Sequence, residues 1–194
     1  MGSPAFRGAA EFDTFMGRLL RRYAFVNHLN MGYFAEAFAG HLRALGVPRD
    51  PFLLLPMMGV KLERSSHLLA SRAVWVRSGG AYTIHYSQYE RSASIRFSLW
   101  HETFEILAGH PRFPSLLSDV WKERLADRFA ASLLMPEWAV RREVKRFATN
   151  GEGLVAVLAE RFGVSHSALR RRLREVAPRC QISCRAGRPR GIVM

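Results

Sequence analysis

The stretch SLWHETFEILAGH, residues 98–110, constrains this chain more than any other part of its sequence. Residues four apart on a helix share one face, so His101 and Glu105 would point at the same place, with Glu102 beside them. A zinc-peptidase helix has this arrangement with two histidines, and Glu105 stands where the second histidine is expected. The third ligand of such a site must therefore come from another element.

A second helical segment runs from Ser118 to Leu134 and is closed by Pro136. Its large apolar residues recur at intervals of four and are predicted to be buried: Trp121, Leu125, Phe129 and Leu133. Another face carries two carboxylates and two small residues: Glu123, Asp127, Ala126 and Ala130. The small alanines would allow a second helix to approach closely, so a carboxylate on this face can meet a ligand on the neighbouring helix.

The segments before residue 98 indicate helices followed by a small sheet. Apolar residues recur at helical spacing from about 12 to 45, and the run 46–52, which contains Gly and two prolines, ends that region. Three segments have the alternation or composition of strands: 57–63, 73–77 and 81–87. Gly79 and Gly80 mark a hairpin turn between the last two. This order of elements predicts an α+β fold with a small twisted sheet.

The last third of the chain has the pattern of a helix-turn-helix. A helix carrying Leu158 ends at Gly163, Ser165 can cap the next helix, and Leu169 and Leu173 give the second helix a buried side. Four residues of the second helix are candidate nucleic-acid contacts: Ser167, Arg170, Arg171 and Arg174. The net charge of +13 also favours an acidic partner such as DNA. The alternative is that these helices close the core and the arginines are solvated.

Length and composition favour one sizeable core with a basic tail. The chain has 194 residues, of which 48% are hydrophobic. Residues 177–194 are rich in Pro, Gly and Arg and are predicted to form a flexible tail, with Cys180 and Cys184 as reduced thiols. We expect a cytoplasmic protein with no membrane partner, because no apolar run reaches membrane-helix length and the N-terminus lacks secretory-signal features.

The two helices at 98–110 and 118–134 carry the residues of a metal site. A catalytic zinc site needs three protein ligands and an open position, and His101, Glu105 and Glu123 are the candidate ligands. Asp127 would orient His101 from the second layer of the site, and Glu102 would be the catalytic general base toward the attacking water. Zinc is the expected metal, and manganese, a harder ion, is the alternative.

Two phrases of the sequence resemble the ImmA/IrrE family of bacterial metallopeptidases. RFSLWHE at 96–102 is similar to the family pattern RF-x-x-x-HE, and ERLADRFAASLLMP at 123–136 is similar to E-x-x-A-[ND]-x-FA-x-x-LLMP. The joint match is far more specific than either half. The resemblance implies a zincin-like helical core with a small antiparallel or mixed sheet, followed by a helix-turn-helix-like segment.

This resemblance also implies domain boundaries and a function. The metallopeptidase domain would span 1–150, the helix-turn-helix-like subdomain 151–176, and the tail 177–194. The implied function is that of an intracellular regulatory metallopeptidase, and its protein substrate would be a repressor-type transcription factor. The alternative is a catalytically weak or inactive member that regulates transcription by binding DNA or a repressor through residues 151–176.

The sequence departs from the family at Glu105, where the family has its second histidine. A carboxylate is a competent zinc ligand, so binding through three ligands can survive. Two carboxylates cancel the charge of the ion, however, so we expect a weaker or slower hydrolase, or a preference for manganese. In the alternative without metal, Glu105 pairs with an arginine such as Arg96. Repulsion among Glu102, Glu105 and Glu123 argues against that alternative and favours a cation.

Overall fold

The computed structural model describes residues 14, 17, 21, 30–44, 50–68, 72–109, 113, 118–147 and 153–176. Most of the helical region predicted before residue 30 lies outside the described residues. The predicted basic tail and its two cysteines also lie outside them. Within the described residues, no helix is long and apolar enough to cross a membrane.

In the described ranges 30–44 and 50–59, two helices precede the sheet. Helix α1, Met31–Ala44, buries one stripe of large side chains, including Phe34, Phe38 and Leu42. Helix α2, Pro51–Met57, was not predicted, because its two prolines and the preceding loop residues read as a break. Pro51 fits the first turn of this helix, where its missing N–H is not needed, and the Asp50 side chain accepts a hydrogen bond from the Phe52 N–H.

The three strands form a mixed sheet in the order β1-β3-β2. Strand β1, Val60–Ser65, pairs in parallel with β3, Ala81–Ser87, and β2, Ala73–Ser78, pairs antiparallel with β3. The predicted hairpin joins β2 to β3 at Gly79 and Gly80, whose φ angles of 57° and 82° suit glycine. Strand β2 is therefore an edge strand of this sheet.

Helices α3, Ser92–Ala108, and α4, Asp119–Leu134, pack against each other and form the centre of the core. Phe129 of α4 is fully buried and lies within aromatic contact distance of four other rings: Phe34, Phe38, Trp100 and Phe104. Ala126 and Ala130 are also fully buried, in agreement with the predicted close approach of a helix. Phe129 thus joins α1, α3 and α4 into one core.

The prediction that Trp121 is buried was wrong. Trp121 is 43% exposed, whereas Leu125, Phe129 and Leu133 of the same stripe are buried. The reason is that Trp121 lies in the first turn of α4, and its ring packs against the guanidinium of Arg124 at the surface. The helical spacing therefore predicted the buried face of α4 correctly, but the buried part of that face begins at Leu125, one turn after Trp121.

Three further helices complete the described chain. Helix α5, Glu137–Phe147, was not predicted, whereas α6, Leu154–Phe162, and α7, His166–Val176, form the predicted helix-turn-helix pattern. Gly163 between them has a φ of 61°, and the Ser165 hydroxyl accepts a hydrogen bond from the Ala168 N–H. These elements make the fold mostly helical with a small mixed sheet, which confirms the α+β class.

The α6–α7 pair packs against the rest of the molecule. Leu158 of α6 and Leu169 of α7 are fully buried and belong to the same apolar cluster as the α3–α4 core. Arg172 of α7 is also buried, and its Nε donates a hydrogen bond to the Met135 carbonyl at the end of α4. The boundary predicted at residue 150 lies outside the described residues and stays a prediction.

Replacement of Phe129 by alanine should be among the most destabilising core changes. It removes a fully buried ring that joins α1, α3 and α4, so we expect a loss of about 3–5 kcal/mol in the free energy of unfolding. Chemical denaturation measures this loss, with Val120→Ala on the exposed side of the same helix as the control. A loss below about 1 kcal/mol would contradict this position for the ring.

Candidate metal centre

His101 lies at the centre of a cluster of carboxylates contributed by α3 and α4. Its Nε2 atom is 3.3 Å from Oε2 of Glu123 and 3.8 Å from Oε1 of Glu105. Its Nδ1 atom is 3.1 Å from Oδ1 of Asp127. The helical spacing places His101 and Glu105 on one face of α3, and the packing of α4 places Glu123 and Asp127 opposite that face. The four residues predicted to hold and orient a metal therefore meet.

The geometry of these side chains fits a divalent cation. One ligand atom from each of His101, Glu105 and Glu123 can be chosen so that all three lie within 4.8 Å of one another. Ligands about 2.0–2.2 Å from a tetrahedral zinc ion lie roughly 3.3–3.6 Å apart, so small side-chain rotations would bring these atoms to a common ion. An Nδ1 contact to a carboxylate is also the usual arrangement behind a metal-binding histidine. The donor set suits zinc, and its two carboxylates suit manganese.

Trp75 of strand β2 contacts both glutamates of α3, and sequence reasoning did not find it. Its backbone N–H donates a hydrogen bond to Oε2 of Glu102 at 3.1 Å, and its indole N–H donates one to Oε2 of Glu105 at 3.1 Å. The pairing of Glu105 with Arg96 does not form among the described residues. Arg96 instead lies against the α6–α7 turn, where a Cβ added to Gly163 would be 2.5 Å from its guanidinium. Trp75 therefore fixes the carboxylate that replaces the family histidine.

The carboxylates control the protonation of His101. Burial opposes the charged form, but the hydrogen bonds to Asp127 and Glu105 outweigh it and raise the pKa of His101 to about 10. Burial, together with the nearby Glu105 carboxylate, raises the pKa of Glu102 to about 7, although His101 and the Trp75 N–H oppose this. Without a cation, His101 is thus charged at neutral pH and Glu102 is close to half protonated.

Glu105 and Glu123 respond in opposite directions to their shared position. The hydrogen bond with His101 lowers the pKa of Glu105, whereas burial and the Glu105 carboxylate raise the pKa of Glu123. The two carboxyl groups also hydrogen-bond to each other, which lowers the pKa of Glu105 and raises that of Glu123. In the absence of a cation, the proton on His101 therefore offsets part of the negative charge of the carboxylates.

Arg171 of α7 contacts the back of this cluster. Its Nη1 atom donates to Oδ2 of Asp127 at 3.0 Å, while Oδ1 of Asp127 meets His101. Burial alone would raise the pKa of Asp127, but the contacts with His101 and Arg171 lower it. The helix-turn-helix segment thus contributes a side chain directly to the cluster. Helical periodicity could not predict this contact, because the two residues lie far apart in the sequence.

The other candidate nucleic-acid residues lie away from the cluster. Arg170 and Arg174 are exposed on α7 and have no ion pair among the described residues. Ser167 is also exposed, and its hydroxyl lies 3.0 Å from the hydroxyl of Ser165. Of the four candidates, only Arg171 is therefore engaged in the carboxylate cluster.

The cluster opens into a cleft of about 750 Å³. One wall is the start of β2, with Ala73 and Val74, and another is the outer surface of α3, with Phe97 and Ser98. Because the Trp75 N–H points away from β3 toward Glu102, the unpaired edge of β2 faces this side of the molecule. The cleft is therefore bounded by an open strand edge and by the acidic residues.

Comparison with known proteins gives the family of the chain. Residues 57–174 match a peptidase family model described as the IrrE N-terminal-like domain. The match spans more than half of the 194 residues, so the chain belongs to this family. The matched range contains the whole cluster together with strand β2 and helix α7. No curated protein sequence matches the chain.

A solved structure of a Mycobacterium tuberculosis transcriptional regulator has a similar fold. The two chains superpose with a TM-score of 0.55 at 15% sequence identity, covering 84% of this chain and 51% of the regulator. The chain therefore spans about half the length of that protein. At this identity the similarity concerns the fold alone.

Metal affinity should depend steeply on pH. His101 must lose its proton before Nε2 can bind a metal, and its raised pKa means that the proton competes with the ion across the neutral range. We expect the affinity for zinc to rise about tenfold per pH unit between about pH 6 and 8. Titration of the full chain against a zinc-binding dye measures this slope. His85→Ala should keep the slope, because His85 pairs with Glu63 elsewhere, and a flat profile would contradict the proposed role of His101.

Proposed function

We propose that the protein is a regulatory metallopeptidase in which His101, Glu105 and Glu123 hold a zinc ion. The observation that carries this proposal is the convergence of these three ligand atoms within 4.8 Å, beside a cleft that Glu102 also lines. Membership of a peptidase family supports the same reaction class. Manganese is the alternative ion, because carboxylates provide two of the three ligands.

Glu102 is the proposed general base. When bound, the metal ion would act as a Lewis acid for the attacking water and for the peptide carbonyl. Glu102 is buried, and its pKa of about 7 suits a group that must both take and return a proton near neutral pH. The Trp75 N–H holds one carboxylate oxygen, so the other remains for the water proton. Glu102 would then pass that proton to the leaving amine.

The free edge of β2 is the proposed guide for the substrate. An extended peptide can add to an exposed sheet edge through backbone hydrogen bonds. Along β2, the N–H and C=O of Ala73 and the C=O of Trp75 lie on the side away from β3, whereas the Trp75 N–H on that side already bonds to Glu102. Ala73 also lines the cleft. A peptide paired there would pass in front of Glu102. Strand β3, which carries His85 and Tyr86, is paired on both sides and has no free edge of its own.

Glu105 is proposed as a ligand that lowers the reactivity of the site without abolishing it. A second carboxylate reduces the positive charge felt by the attacking water, which then loses its proton less readily. The hydrogen bond from the Trp75 indole draws charge away from Glu105 and partly offsets this effect. A slow, selective peptidase suits the regulation of a specific target better than general proteolysis.

We propose a repressor-type transcription factor as the protein substrate. Two findings support this choice: the chain belongs to the family of IrrE N-terminal-like domains, and a protein of similar fold is a transcriptional regulator. The strongly basic chain would also approach protein bound to DNA without repulsion. The protein is proposed to act inside the cell, where such a repressor is found.

Glu102→Gln should abolish most peptidase activity while leaving the metal in place. The amide keeps the shape and the Trp75 contact but cannot accept a proton, so we expect kcat to fall by about 100- to 10,000-fold. Cleavage of a helix-turn-helix repressor encoded by an adjacent gene, with zinc supplied, measures this loss. Zinc content of the same samples measures the metal.

Two control variants sharpen this experiment. Glu160→Gln changes a carboxylate on the exposed side of α6 and should leave activity unchanged. Glu105→His restores the family ligand and should raise both zinc affinity and cleavage rate. Full cleavage by Glu102→Gln, or zinc-independent cleavage by the unaltered chain, would rule out the proposed mechanism.

A second candidate function is binding of DNA through α6 and α7. Arg170 and Arg174 favour it, because they lie one helical turn apart, are exposed, and have no ion pair among the described residues. Ser167 lies near the start of the same helix, where helix-turn-helix proteins place base contacts. Arg171 is less available, since it already pairs with Asp127.

Variants of α7 separate the two functions. If Arg170 and Arg174 contact phosphates, their joint replacement by alanine should weaken binding to duplex DNA and lower its salt slope by about 1.8. Zinc affinity should not change in that variant. Arg171→Ala should instead weaken zinc binding by about 10- to 100-fold, because Asp127 loses its partner. If the double variant and Arg171→Ala weakened DNA binding equally and zinc binding equally, the proposed separation of the two functions would be contradicted.

A further inference from the structure

A separate cavity of about 250 Å³ lies on the other side of α4 from the metal centre. Tyr33 and Glu36 of α1, Arg128 and Ser132 of α4, and Trp138 of α5 form its walls. A smaller cavity of about 190 Å³ shares Glu36, Ser132 and Trp138 with it. None of the proposed metal ligands lines either space. The two cavities thus form a second concave region that the proposed peptidase reaction does not use.

Two polar groups at this cavity are buried without a hydrogen-bond partner. Ser132 is 2% exposed, and its hydroxyl bonds to no group in the described part of the chain. The Nε of Arg128, one helical turn earlier, is also buried and unpaired. A buried donor left unsatisfied is costly, and a helical serine usually bonds to the carbonyl four residues before it. Both groups therefore point to a ligand that supplies acceptors.

Among the charged side chains that line the cavity, one acidic and one basic side chain form no ion pair within the described residues. Glu137 pairs with Arg141 at 2.8 Å, and Arg172 pairs with Glu175 at 3.1 Å. Glu36 and Arg128 line the same space, yet among the described residues neither forms an ion pair. A ligand that carries both a positive and a negative group could pair with Glu36 and Arg128 at the same time.

The smaller cavity has an apolar wall beside the polar groups of Glu36 and Ser132. Ala35, Ala39 and Pro136 contribute to its walls, and a Cβ added at Gly40 would meet nothing within 4 Å. At the junction of the two cavities lies Trp138, which is 52% exposed although its ring is large and apolar. This half of the region can accept an aliphatic or aromatic side chain and cover it.

From these contacts we infer that the cavity binds a free α-amino acid with an apolar side chain. Its carboxylate would accept hydrogen bonds from the Arg128 guanidinium and the Ser132 hydroxyl, and its ammonium group would pair with Glu36. Its side chain would lie against Trp138 in the smaller cavity. The adjacent carboxylate and ammonium of a free amino acid match the one cation and one anion left unpaired. A peptide terminus carries only one of these charges beside its last side chain.

Binding of L-leucine to the full chain tests this site. Calorimetric titration should show saturable binding of one L-leucine, with about tenfold or greater weakening for L-leucinamide, which lacks the carboxylate, and for 4-methylpentanoate, which lacks the ammonium. Glycine should bind more weakly than L-leucine, because it leaves the smaller cavity empty. These comparisons use the unaltered protein, so they do not depend on whether a variant folds.

Matched variants locate the binding. Arg128→Gln and Glu36→Gln should each weaken L-leucine binding about tenfold or more. Arg124→Gln and Glu160→Gln are exposed replacements of the same types outside the cavity and should have no effect. Gly40→Leu should fill the smaller cavity and weaken L-leucine more than glycine. The site is disproved if L-leucine, L-phenylalanine and L-methionine all fail to bind at millimolar concentration, or if L-leucinamide binds as well as L-leucine.

Discussion

The close packing of α3 against α4 forms both the aromatic core and the metal centre. Ala126 and Ala130 bring the two helix backbones together, and Phe129 anchors the pair in the aromatic core. This approach places the His101 face of α3 opposite the acidic face of α4, where Glu123 stands. Neither helix could form the cluster alone. The same contact between α3 and α4 therefore forms the core and positions the side chains of the site. A change that separates the helices would disrupt both.

The electrostatics of the cluster follow from that packing. Four carboxylates surround one imidazole, and without a cation their effect outweighs burial and raises the pKa of His101 to about 10. The helix-turn-helix segment adds a permanent positive charge through Arg171, which holds Asp127 ionised behind His101. A cation bound to Nε2 would displace the proton of His101 and leave the contact between Arg171 and Asp127 in place. Helix α7 therefore supports the metal centre through Arg171, whether or not its exposed arginines bind another partner.

Local patterns in the sequence predicted the elements that depend on local chemistry. Helical spacing indicated that His101 and Glu105 share a face, and the alanines of α4 indicated the close approach that brings Glu123 to them. The contact from Trp75 could not be predicted, because it depends on how the sheet docks on α3. The Arg171 contact was missed for the same reason, since α7 follows Asp127 by more than 30 residues. Periodicity reports which face is buried and gives no information about which distant element covers it.

X-ray diffraction from zinc-loaded crystals, recorded on both sides of the zinc absorption edge, would locate the metal and identify its ligands. If His101, Glu105 and Glu123 hold the metal, an anomalous peak will lie about 2.0–2.2 Å from Nε2 of His101 and from one carboxylate oxygen of each glutamate. Asp127 will remain outside the coordination sphere, between His101 and Arg171. The absence of a peak at this cluster, or a peak whose coordination excludes Glu105, would contradict the proposed set of ligands.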